Sequence, residues 1–148
     1  MKKQISSRGA RPKAMLLPLP TDIMRSLSLE NHLALATVRA GRGGLDHLCC
    51  LLRIVYLAFY MRGETTIEAD LDPYRQAETA LDECIARVER GVPCLLLGRE
   101  QTAVERVLVL HDEQLAAMPK FRYLDAWEQL ESFIVSGRRS PIPAKVIA

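Results

Sequence analysis

The chain has 148 residues, of which 49% are apolar, 26% charged and 5% aromatic, with a formal net charge of +2. That length and balance predict one globular domain that needs no disulfide or metal staple, and they argue against a disordered or fibrous protein. The charge is unevenly placed. All eighteen carboxylates lie between Asp22 and Glu131, while the ends are purely basic. Lys2, Lys3, Arg8, Arg11 and Lys13 sit at one end, and Arg138, Arg139 and Lys145 at the other. Setting those eight aside from the twenty Lys and Arg leaves twelve cations against eighteen carboxylates in the body.

Taken in order, residues 1–20 read as a basic, Pro-containing flexible arm. They lack periodicity as far as Lys13, and Pro18 and Pro20 then hold the backbone extended. Helices are predicted over 21–137, and 138–148 read as a basic tail with Pro141 and Pro143. The first helix is expected from Ser26 or Ser28 to Ala40, burying Leu29, Leu33 and Ala36. Three glycines in Gly41–Gly44 then make a tight turn. The second helix, Leu45 to Arg62, is apolar almost all round, with a narrow polar stripe of Asp46, Arg53 and Tyr60, and belongs at the centre of a bundle.

Residues 63–71 read as an acidic loop. Asp72 followed by Pro73 marks a helix start, with Tyr74, Ala77, Leu81, Ile85 and Val88 on one face and a Glu83–Arg87 pair on the other. Gly91 ends that helix, and residues 92–97 are a short apolar connection. The next helix, Arg99 to Met118, carries Val104, Leu108, His111, Leu115 and Met118 on one stripe before Pro119. The last, Phe121 to Ser136, is expected to bury Leu124, Trp127, Leu130 and Ile134 and to stop at Gly137. The fold class is therefore all-α, a single compact bundle of about five helices.

No chemistry stands out. The histidines and cysteines show no paired ligand spacing, and adjacent Cys49 and Cys50 point about 100° apart on a helix, so neither metal nor cofactor is expected. There is no nucleophile motif and no phosphate-binding glycine loop, so the chain reads as non-enzymatic. His111 is the most interesting single residue, either a base or a core-edge histidine bonded to a neighbouring helix. No segment suits a membrane span and no secretory signal is expected, which with four cysteines, the adjacent Cys49 and Cys50 unsuited to bridging each other, points to the cytoplasm.

Several elements together resemble a family of small proteins encoded by phages and prophages of proteobacteria, sometimes labelled Fis-type regulators. They are Arg11-Pro12-Lys13, the Asn31-His32 helix leading into Gly41-Arg42-Gly43, and Asp46 opening an apolar helix. To these add Glu105 leading to His111-Asp112-Glu113-Gln114-Leu115, then Asp125, Glu128, and Gly137-Arg138-Arg139 before Pro141-Ile142. Gly63-Glu64-Thr65-Thr66 departs from the family pattern. The family has no assigned activity, so the resemblance implies only a bacterial host cytoplasm. In that setting the expected function is a non-enzymatic accessory protein that binds a host protein or nucleoprotein complex, an anti-defence factor of the anti-CRISPR kind. The expected contact surface is acidic: Glu64, Glu68, Asp70, Asp72, Glu78, Asp82 and Glu89. The alternative is a small DNA-associated regulator whose cations Lys2, Lys3, Arg8, Arg11, Lys13, Arg138 and Arg139 touch phosphates. A homodimer through the second helix stays open.

Overall fold

The structure, a computed structural model, describes residues 11–63 and 70–144. Glu64, Glu68, Lys2, Lys3, Arg8 and Lys145 lie outside the described residues. Within them the protein is all-helical, with six helices: α1 (Lys13–Leu16), α2 (Thr21–Arg39), α3 (Leu45–Met61), α4 (Asp72–Glu89), α5 (Gly98–Ala117) and α6 (Lys120–Ser136).

The short α1 falls in the stretch expected to be irregular. Pro12 sets the backbone for a helical turn, and Lys, Ala, Met and Leu are all strong helix formers. The Lys120 N–H donates to the Leu17 carbonyl at 2.7 Å, which ties the end of this segment to the start of α6.

Helix α2 begins at Thr21, earlier than Ser26, directly after Pro20. The longer helix changes which side is buried. Ala34, Leu35 and Val38 enter the core, with Met24 and Leu27 packed against it, whereas Leu29 is 61% exposed, Leu33 is 52% exposed and Ala36 faces water. The expected stripe is thus on the side away from α3 and α5, the helices whose contacts select the buried face. The helix stops in a Schellman motif: the Gly41 N–H bonds Val38 O, the Arg42 N–H bonds Thr37 O, and Gly41 takes φ 78°.

Helix α3 is the central element. Leu48, Leu51, Val55 and Ala58 are wholly buried, and the helix packs against α2, α4, α5 and α6. Its expected polar stripe holds, with Asp46 and Arg53 exposed and Tyr60 half-buried. Helix α4 follows the expected face closely, burying Tyr74, Ala77 and Leu81 and half-burying Ile85 and Val88. Its start differs in detail. The N-cap is Leu71, and the Asp72 N–H donates to the Asp70 Oδ1 at 3.0 Å.

Helix α5 buries Val104, Leu108, His111 and Leu115 as the spacing predicts. Helix α6 is rotated relative to expectation: Ala126, Leu130 and Phe133 are buried and Trp127 half-buried, but Leu124 and Ile134 are 38% and 55% exposed. Phe133 governs that rotation, meeting Tyr56 of α3 edge-to-face at 5.3 Å.

Gly137 takes φ 75° and turns the chain back over α3 towards α4. There Ile142 is buried, and the Arg75 Nε–H and Nη2–H donate to the Pro143 carbonyl at 3.2 and 3.0 Å. The described part of the tail is therefore docked on the bundle.

Candidate functional site

The described members of the acidic group differ in their surroundings. Glu78, Asp82 and Glu89 share one side of α4 by their spacing of four and seven. However, the Glu78 Oε2 accepts the Tyr56 hydroxyl at 2.6 Å and the Ser140 hydroxyl at 2.5 Å, so this carboxylate anchors the tail. Asp72 lies 3.4 Å from the Arg75 Nη1, and Asp70 accepts the Asp72 N–H. Asp82 is exposed, within electrostatic reach of Glu78 and Arg139, and Glu89 is exposed at the far end of the helix.

The basic residues are split as well. Arg11 lies 4.0 Å over the Phe121 ring and 3.8 Å from Asp125, and Lys13 is exposed beside it in sequence. Arg138 lies 5.5 Å from the centre of the Phe133 ring, and Arg139 is exposed. These two pairs sit at opposite ends of α6, which is about 25 Å long. Two of the four cations already stack on the protein's own aromatic rings.

A buried ion pair was not foreseen. Arg87 does not reach for Glu83; its Nη2 and Nη1 donate to Glu100 at 2.7 and 3.1 Å, and Nη2 also donates to the Leu95 carbonyl at 3.0 Å. Glu100, 3% exposed, also accepts the Leu97 N–H at 2.8 Å. The group thus joins α4, α5 and the connection between them. Burial pushes the Glu100 carboxyl up, but the Arg87 guanidinium and the Leu97 N–H outweigh it and hold the carboxyl below its ordinary value. The sequence signal was half present: a Glu three residues after the cap position is the returning partner of a capping box.

His111 is the second polar group in the core, at 2% exposure. Its neighbours determine its tautomer. The Gln114 Nε2 donates to the Ala58 carbonyl at 2.9 Å, so Gln114 presents its oxygen to the histidine. The His111 Nδ1, 2.9 Å from that oxygen, must then carry the proton. Burial pushes the His111 imidazole down, against the opposing pull of Gln114 and Asp112. It is therefore neutral at pH 7. Because the unfolded chain takes up this proton first, stability should fall as pH drops below the ordinary histidine value of 6.5. Urea midpoints measured from pH 7.5 to 5 should show that fall in the native chain and a shallower one in His111→Leu. Parallel curves would contradict the assignment.

Nearby, His32 of α2 bonds Asp112 of α5 through Nε2 to Oδ2 at 2.8 Å. Between α2 and α6, with α3 as floor, lies a cavity of about 140 Å³ whose lining includes His111 and Trp127. Among the described residues no three His, Cys, Asp or Glu side chains converge as a metal site, and no helix is long and apolar enough to cross a membrane.

The outer face of α2 is the remaining feature. Leu29, Leu33 and Ala36 repeat at i, i+4 and i+7 on the side opposite the core-facing stripe, all exposed to water. No protein-family model, no curated protein and no solved structure matches this chain.

Proposed function

We propose that this protein is a non-catalytic binding factor that docks on a positively charged host nucleoprotein complex, and that α2 makes the contact. The observation that carries the reading is the exposed Leu29–Leu33–Ala36 stripe. A helix of ordinary solubility keeps polar residues opposite its core face; this one repeats leucines there at the spacing used when a helix lies in an apolar groove. Arg25, Glu30 and Arg39 flank the stripe and would orient it. The acidic surplus of the body favours a basic partner and speeds encounter with it, while the leucines supply affinity. The resemblance to phage-encoded proteins supports a bacterial host as the setting, and an anti-defence role against a CRISPR–Cas surveillance complex is the specific form of this reading.

Leu29→Asp with Leu33→Asp tests it. Both side chains are exposed, so the unfolding free energy should change by no more than about 0.5 kcal/mol per site. In cells whose CRISPR–Cas system targets an infecting phage, the native protein should raise plating at least tenfold and co-purify with the surveillance complex after nuclease treatment. The double variant should do neither. No rise in plating, or retention only of salt-sensitive nucleic acid through the basic ends, would overturn the proposal.

A further inference from the structure

We infer that the cavity between α2 and α6 is a binding site for a small, planar, uncharged molecule that donates one hydrogen bond, of the phenol class. Its volume, about 140 Å³, matches that of engineered apolar cavities of about 150 Å³ that take up benzene. The walls are of the right kind. Leu27, Ile54 and Leu57 supply aliphatic surface, and Tyr123 and Trp127 meet edge-to-face with centroids 6.5 Å apart, forming an aromatic corner against which a flat ring can pack.

The polar requirement comes from His111. Its Nδ1 proton is committed to Gln114, and Gln114 is held in turn by the Ala58 carbonyl, so the ring cannot turn over without losing its bond to a fixed acceptor. The Nε2 is thereby a bare acceptor. It has no partner among the described residues, on a side chain that is 2% exposed and lines the cavity. A ligand hydroxyl in the cavity would give this acceptor a donor. Such a ligand has an advantage over water because its ring also covers the apolar part of the wall. Glu30 and Arg53, both exposed residues of the lining, balance each other in charge, which favours a neutral ligand over an ion. This arrangement is independent of the α2 outer face, since Leu27 and Asn31 enter the cavity from the other side of that helix.

The protein carries its own reporter, since Trp127 is the only tryptophan in the chain. Titration of the full chain at pH 7.5 with phenol should give a saturable change in Trp127 fluorescence. Toluene, equal in size but with no donor, should bind at least tenfold more weakly. His111→Leu should remove phenol's advantage and bring the two ligands level. Should that variant fail to fold, the native protein still decides: phenol should shift the ¹⁵N resonance of His111 Nε2 in the direction of an accepted hydrogen bond, and toluene should not. Equal binding of the two ligands by the native protein, no saturation, or an unmoved Nε2 resonance would each overturn the inference.

Discussion

Arg87→Ala should lower the unfolding free energy by about 3–5 kcal/mol, because it leaves the Glu100 carboxylate buried without its cation. One further loss accompanies it: the Leu95 carbonyl loses the Arg87 donor and keeps only the Cys84 thiol of α4, at 3.4 Å. Removing the other partner should cost less. In Glu100→Ala the guanidinium, whose side chain is 22% exposed, can turn to water while keeping its bond to Leu95. The pair also has a pH signature. A carboxyl held below its ordinary value of 4.5 contributes fully above that pH, and the contribution is lost as pH falls through the depressed value. Urea denaturation at pH 7 and pH 3.5 checks both statements. Arg87→Ala should be much the weaker protein at pH 7 and should approach the native chain at pH 3.5. If the two alanine variants cost the same at pH 7, the asymmetry argued from burial is wrong.

Gly43→Ala should cost about 1–3 kcal/mol through overpacking. A Cβ at Gly43 would stand 2.6 Å from the Val38 Cγ2 and 2.9 Å from the Val38 Cα, and Val38 is wholly buried, so neither atom has room to retreat. The turn between α2 and α3 closes directly on the core at this point. Gly98, the first residue of α5, provides the contrast, since nothing lies within 4 Å of a Cβ built there. Gly98→Ala should stay within about 0.5 kcal/mol of the native protein. Thermal unfolding of the two variants side by side separates a clash from a generic glycine effect; equal losses would refute the packing argument.

What could be read in advance, and what could not, follows from how local each determinant is. The α5 stripe was legible because Val104, Leu108, His111 and Leu115 form the dominant apolar face of that helix and Pro119 marks its end. The central place of α3 was legible because no orientation could expose so few polar residues. The buried side of α2 was not, since the residue spacing of Leu29 and Leu33 is as regular as that of Leu27, Ala34 and Val38. Only the tertiary contacts to α3 and α5 decide between them. Helix α6 failed for the same reason, its choice resting on the contact of Phe133 with Tyr56. Long-range polar pairs were invisible by construction. Arg87 had Glu83 at an ideal local spacing, yet it bonds a carboxylate in the next helix. Of the candidate site, His111 was singled out correctly as unusual, but the cavity beside it depends on residues from four helices.

The two apolar faces of α2 also bear on how the chain finds its fold. Turning α2 by half a revolution about its own axis would bury Leu29, Leu33 and Ala36 in place of Met24, Leu27, Ala34, Leu35 and Val38, a smaller apolar face but one of equally regular spacing. Such competing packings are what roughen a folding landscape. Two features separate them here: the bond from His32 to Asp112, which can form in only one orientation, and the fit of Val38 against Gly43. A partly buried polar contact and one missing methyl group thus add to the larger apolar face in separating the native bundle from its misassembled twin.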